Sequence, residues 1–212
     1  MVHMDNSPAS RPAAFLDRDG TMIVERDFLG DPDGVEILPG VVEAIRLLNR
    51  WGYWVIGVSN QSGVARGYFG TKEVDAVNER IIELMAAQKA YINRIYYCPH
   101  QPDIARMRNE EECDCRKPAP GMIQRAISDY PINLTGSFVA GDNSVDMGLA
   151  RGAGIPGLLV LTGYGLRERE LLAPGLTPDV IADDLLAAVR WFGRKMGLIG
   201  HEEIDEPDPP GV

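Results

Sequence analysis

The sequence predicts an α/β fold, a parallel sheet covered by helices on both faces, and three observations carry that expectation. Short apolar runs suited to buried strands alternate with amphipathic helical stretches. Three of those runs end on polar residues, Asp17/Asp19, Ser59/Asn60 and Asp142, at the carboxyl ends of strands where open α/β sheets bind ligands. Finally, 212 residues that are 45% apolar suffice for one full core and not for two equal domains.

In chain order, Ala13-Ala14-Phe15-Leu16 reads as the first buried strand and delivers Asp17-Arg18-Asp19-Gly20-Thr21. A loop rich in Gly, Pro and Asp, residues 25–40, leads to a helix over 41–51. Its Val41, Ile45 and Leu48 share one face, and Gly52 suits a left-handed cap. Residues 53–58 form a second strand that ends on Ser59-Asn60-Gln61-Ser62-Gly63. Thr71 is expected to cap a long helix carrying Val74, Val77, Ile81 and Leu84, followed by a strand over 92–97. Residues 98–120 read as loop and 121–130 as helix. A strand over 137–140 delivers Gly141-Asp142, and a helix over 145–151 precedes a strand over 157–161. A short strand over 180–182 then leads to a last helix through Lys195, capped by Asp183 or Asp184. No internal repeat is visible. Gly152-Ala153-Gly154-Ile155-Pro156-Gly157 matches G-x-G-x-x-G, but it ends a helix and enters a strand, the reverse of a dinucleotide fingerprint, so it reads as a helix-to-strand loop.

Residues 1–12 are expected to be a flexible start, 13–197 a single domain, and 198–212 a disordered tail, acidic and Pro-rich. The net charge of −10 argues against nucleic-acid or anionic-membrane partners, which need a basic field. No run is long and apolar enough for a signal sequence or a membrane span, so a cytoplasmic location is the default. A monomer acting on a small molecule is expected. With three cysteines, a disulfide framework is not.

Asp17 and Asp19, spaced i, i+2 past a strand, allow one carboxylate to attack while the other handles protons. An anion that attacks an anionic phosphate is repelled, so a hard cation must bridge them. Mg²⁺ fits, held by the Asp17 and Asp142 carboxylates and the backbone carbonyl of Asp19. Lys117, next to Pro118 and expected near a helix N-terminus, and the Ser59 hydroxyl with backbone N–H groups beside it, would hold the phosphate oxygens. Asn60, Gln61 and Ser62 extend that contact set. Asp19 would protonate the leaving oxygen and later take a proton from water. Asp146, one helical turn past Asp142, reads as a supporting or helix-start carboxylate and not as a metal ligand.

Cys98-Pro99-His100 and Cys113-Asp114-Cys115 gather every cysteine and one histidine into two short ligand pairs. Cys98, His100, Cys113 and Cys115 can close a structural zinc tetrahedron with no open position. Arg116-Lys117 follow the last of these ligands, so zinc would order a polar loop and fix where the lysine points.

Together, Phe15-Leu16-Asp17-Arg18-Asp19-Gly20-Thr21, the run from Ser59-Asn60-Gln61-Ser62-Gly63 to Gly67, Cys98-Pro99-His100, Cys113-Asp114-Cys115-Arg116-Lys117-Pro118 and Gly141-Asp142 resemble the D-glycero-D-manno-heptose 1,7-bisphosphate phosphatases of the haloacid dehalogenase superfamily. The histidinol-phosphate phosphatases are close relatives of these. The resemblance covers residues 13–165, and the cysteine motif joined to Arg116-Lys117-Pro118 is its most specific part. It implies a Rossmann-like fold with a minimal cap, one Mg²⁺, one structural Zn²⁺ and a sugar bisphosphate that loses its 7-phosphate. It also implies that Arg116 recognises substrate and that Glu25, Arg26, Asp27 and Phe28 lie against the sugar. Where such proteins often carry Lys, this chain has Asn143, one cation fewer beside the substrate. Histidinol phosphate or another small phosphomonoester remains the alternative substrate. A zinc-stabilised binding module without turnover is the alternative of a different class, disfavoured by the intact Asp17, Asp19, Lys117 and Asp142.

Overall fold

The computed structural model describes residues 9–108 and 113–199; the rest of the expected flexible start, the tip of the zinc loop and the acidic tail from residue 200 lie outside them. Six strands, β1 (Ala13–Leu16), β2 (Trp54–Asn60), β3 (Arg94–Cys98), β4 (Phe138–Gly141), β5 (Gly157–Val160) and β6 (Val180–Ala182), stand in the order β3-β2-β1-β4-β5-β6. Every neighbouring pair is parallel. Strand order reverses between β1 and β4, so their carboxyl ends flank the crevice in which this topology places ligands. The Asp17 N–H donates to the Ala140 carbonyl at 2.9 Å, which ties the end of β1 to the end of β4.

Among the described residues there are seven α-helices, six between strands and the last after β6: α1 (Val41–Arg50), α2 (Thr71–Ala87), α3 (Pro102–Met107), α4 (Gly121–Asp129), α5 (Ser144–Ala153), α6 (Gly165–Leu171) and α7 (Leu185–Lys195). Alternation along β1 divides the core. Ala14 and Leu16 pack with Ile45, Ile81 and Phe192 from α1, α2 and α7, whereas Ala13 and Phe15 pack with Met122, Ile123 and Leu149 from α4 and α5. Burial on both faces explains why β1 reads as an unbroken apolar run. Each fully buried Leu, Ile, Phe or Met among them contributes about 1.5–3 kcal/mol.

The departures from the expected elements have local causes. Gly70, not Thr71, is the N-cap of α2: the Glu73 carboxylate reaches back to accept from the Gly70 N–H at 2.8 Å, and Thr71 is the first helical residue. Residues 98–120 are not all loop, because Pro102 opens the short helix α3. Polar α6 had no apolar period to announce it. Asp184 is the cap of α7 and accepts from the Ala187 N–H at 2.8 Å. The G-x-G-x-x-G run does join a helix to a strand, with Gly154 (φ 67°) ending α5 and β5 starting at Gly157. Among the described residues no helix is long and apolar enough to cross a membrane.

Candidate active site

Asp17 leaves the end of β1 almost fully buried, and burial pushes its carboxyl above the usual carboxylate range, with Lys117 opposing the shift. Lys117 comes from the turn ahead of α4, not from a helix N-terminus. Its Nζ is buried and donates to Asp17 Oδ1 (2.6 Å), Asp146 Oδ1 (2.7 Å) and the Val58 carbonyl (2.9 Å), which uses all three of its N–H groups. Desolvation would lower the lysine, but the charges of Asp146 and Asp17 more than compensate and hold it above its ordinary value.

Asp142, just past β4, accepts from the Tyr164 N–H at 2.7 Å. Burial, and next the Asp17 charge, push it up to about 9. Burial also raises Asp146 to about 7 against the pull of Lys117. One oxygen each of Asp17, Asp142 and Asp146 lies within 4.8 Å of the others. Both oxygens of Asp146 are occupied, Oδ1 by Lys117 and Oδ2 by the Asn143 N–H at 3.2 Å, in keeping with a supporting carboxylate at the start of α5. Gly20 (φ 76°) and Gly163 (φ 53°) press against Asp142 so closely that a Cβ on either would overlap its Oδ2. A buried, oxygen-only donor set with excess negative charge fits a hard divalent cation such as Mg²⁺.

Asp19 is bonded toward the end of β2. It accepts from both Arg18 nitrogens of a fork, from Gln61 Nε2 at 2.8 Å and from the Ser59 hydroxyl at 3.3 Å. Ser59 therefore faces Asp19 here. The Asn60 side chain is spent on the Lys117 backbone, donating to its carbonyl at 3.2 Å and accepting from its N–H at 3.0 Å.

These groups open onto a cavity of about 320 Å³. Asp17, Asp19, Lys117, Asp142 and the run Ser59, Asn60, Gln61 and Ser62 line it, and so do Arg116 and Asn143. Asn143 doubles as N-cap of α5, accepting from the Val145 N–H at 3.2 Å. From the loop after β1, Glu25, Asp27 and Phe28 line the cavity. Arg26 does not: it turns out to pair with Glu36 at 2.6 Å. Leu29, Val145 and Tyr164 line the cavity without having been anticipated. The Tyr164 hydroxyl donates to Asp27 Oδ1 at 2.6 Å, and that bond, more than burial, pushes the phenol up to about 12. Gly163-Tyr164-Gly165 soon after the carboxyl end of β5 was the available signal.

Beside the cavity, the ligand atoms of Cys98, His100, Cys113 and Cys115 all lie within 4.8 Å of one another. His100 Nδ1 is 3.5 Å from Cys98 Sγ and 3.4 Å from Cys115 Sγ, and Cys98 and Cys113 Sγ are 3.6 Å apart. Three thiols and an imidazole at such separations can bind zinc. Arg116 Nη1 donates to the His100 carbonyl at 3.0 Å, which joins this cluster to the cavity wall.

Comparison with known proteins points the same way. A family model described as HAD-hydrolase-like matches residues 114–188. The D-glycero-D-manno-heptose-1,7-bisphosphate 7-phosphatase of Thermosynechococcus vestitus is 40% identical over 190 residues, covering 86% of this chain and 95% of its own. The D-glycero-beta-D-manno-heptose-1,7-bisphosphate 7-phosphatase of Rhodopseudomonas palustris is 40% identical over 154 residues, 73% of this chain and 86% of its own. Among solved structures, the D,D-heptose 1,7-bisphosphate phosphatase of B. bronchiseptica complexed with magnesium and phosphate superposes with a TM-score of 0.76 at 32% identity, covering 87% of this chain and 99% of that one.

Proposed function

The chain belongs to the heptose 1,7-bisphosphate phosphatase family of haloacid dehalogenase-like hydrolases, and from that premise we propose that it removes the 7-phosphate of D-glycero-D-manno-heptose 1,7-bisphosphate. The observation that carries this reading is the buried Asp17–Lys117 pair at the β1/β4 switch, facing a cavity whose wall also presents Arg116.

Asp17 attacks phosphorus and the bond from phosphorus to the sugar oxygen breaks, leaving an aspartyl phosphate. Asp19 gives its proton to the departing oxygen, which leaves as a hydroxyl. Asp19 then takes a proton from water as that water attacks phosphorus, and inorganic phosphate departs with Asp17 restored. Lys117 steadies the attacking carboxylate and the phosphate charge, and Ser59 and Gln61 orient Asp19. Asp17, Asp142 and the Asp19 carbonyl would hold Mg²⁺, which would supply the positive charge that lets two anions meet. Arg116 takes the second phosphate, and Glu25 and Asp27 accept from sugar hydroxyls. Cys98, His100, Cys113 and Cys115 would hold a structural zinc, a staple for the segment that ends in Arg116-Lys117. The working unit is read as a cytoplasmic monomer of one domain, residues 13–197, whose acidity disfavours nucleic-acid ligands.

One observation favours histidinol phosphate as a second reading: with Lys117 saturated and Asn143 neutral, the carboxylates of Glu25 and Asp27 outnumber the Arg116 guanidinium on the cavity wall, which suits an amine. A phosphate-release panel with both anomers of the heptose bisphosphate and with histidinol phosphate separates them. The expected result is one phosphate released from the heptose, at position 7, and the highest kcat/KM for it. A higher kcat/KM for histidinol phosphate would overturn the assignment.

A further inference from the structure

Arg18 lies between the two aspartates of the first motif, and its side chain is 0% exposed. A guanidinium removed from water is strongly unfavourable unless it is paired, so its partners define what it does. Nε and Nη2 form a fork on Asp19, 2.9 Å to Oδ2 and 3.1 Å to Oδ1. Nη1 donates to Asn78 Oδ1 at 3.0 Å. Asn78 sits on the buried stripe of α2 with Val74, Val77 and Ile81, where the helical period calls for an apolar side chain, and it does not line the cavity. A buried amide at such a position needs a partner, and Arg18 is that partner.

The bonds on Asp19 are uneven. Oδ2 accepts from Arg18, Gln61 and Ser59, whereas Oδ1 accepts from Arg18 alone among the described residues. A lysine could neutralise the charge equally well, but only a planar fork anchored at its far nitrogen also fixes the plane of the carboxyl. We propose that Asn78 and Arg18 are positioning residues that lock the Asp19 carboxyl so that Oδ1 is the oxygen that exchanges the proton with the leaving group. This rests on the reading of Asp19 as acid and base.

Leaving-group dependence tests it, because a departing sugar alkoxide needs a proton and 4-nitrophenolate does not. Wild type, Asn78→Leu, Asn78→Ala, Asn78→Asp, Arg18→Lys and Asp19→Asn are assayed on the heptose bisphosphate and on 4-nitrophenyl phosphate. Asn78→Leu, Asn78→Ala and Arg18→Lys are expected to lose about tenfold or more in kcat/KM on the sugar phosphate and about twofold or less on the aryl phosphate; kcat/KM covers only the steps up to departure of the leaving group and so leaves out the hydrolysis of the aspartyl phosphate that both substrates share. Asn78→Asp keeps an acceptor for Nη1 and is expected to keep the wild-type ratio between the two substrates, at some cost in stability from the added buried charge. Equal losses on both substrates, or no loss on either, in the variants that fold would overturn the proposal. Asp19→Asn is the control: a split in that variant alone sinks the positioning role, whereas no split there sinks the acid–base reading of Asp19 itself. Three variants carry the same expectation, so a failure of one to fold leaves the split readable in the others.

Discussion

The side-chain amide of Asn60 closes a two-bond ring on the backbone of Lys117, accepting from its N–H at 3.0 Å and donating to its carbonyl at 3.2 Å. The partners are 57 residues apart, and the ring joins the end of β2 to the segment that follows the cysteine cluster. Lys117 reaches Asp17 only if this backbone is held. Asn60→Leu should therefore leave a backbone pair unmatched, lower stability by about 1–3 kcal/mol and reduce kcat/KM, as read from denaturant unfolding and phosphate release. Turnover and stability both at wild-type level would show that Lys117 is held by its Nζ contacts alone.

Which parts of this were legible in the sequence follows from how local their causes are. Asp17 and Asp142 stood out because an apolar run stops directly before each, and sheet topology alone then brings them to one crevice. The cysteine cluster was legible because it uses every cysteine of the chain. Arg18 was not, since what it does depends on Asn78, 60 residues away on a helix. Asn60 was legible as a residue of the cavity wall, but its ring on the Lys117 backbone was not, since the two are 57 residues apart. Gly70 displaced Thr71 as cap because Glu73 supplied the returning bond. α3 and α6 are too short and polar for periodicity to act on.

Zinc removal should act on the loop before it acts on the chemistry. Gln101 to Arg108 offers only a few apolar side chains, and Ala105 is the one buried residue of α3, so the metal is left to order it. Cys113→Ser is expected to abolish the zinc content of the purified protein, lower its thermal midpoint and open it to proteolysis between residues 98 and 117. An unchanged midpoint and unchanged turnover with zinc gone and Mg²⁺ present would show that the loop orders itself.

In the Mg²⁺-free protein, the raised carboxyls make stability depend on pH in a definite direction. Asp142 moves from an ordinary 3.8 up to about 9 and Asp146 to about 7, so across that window the folded chain keeps protons that the unfolded chain has lost. Their contribution is fully present below the ordinary value and is lost as pH rises through the folded one. Mg²⁺ should accordingly raise the thermal midpoint more at about pH 8.5 than at about pH 6, because there it offsets the larger repulsion. Asp142→Asn should flatten both dependences. An Mg²⁺ increment that is larger at the lower pH would contradict this.

Gly20 and Gly163 set how closely Asp142 can be approached, and they make a sharper test of its role than its own removal. Both have positive φ and both would place a Cβ onto Asp142 Oδ2; at Gly163 the Cβ would also crowd the Gly20 Cα at 2.5 Å. The Gly163 backbone also leads directly into the Tyr164 N–H that orients this carboxylate. Gly163→Ala therefore keeps every ionisable group while forcing Asp142 aside, beyond the loss of about 1 kcal/mol from a strained backbone. The expected result is a protein that folds, binds Mg²⁺ at least about tenfold more weakly by calorimetry, and recovers part of its turnover at high Mg²⁺. Wild-type Mg²⁺ affinity in this variant would mean that the cation does not depend on where Asp142 stands.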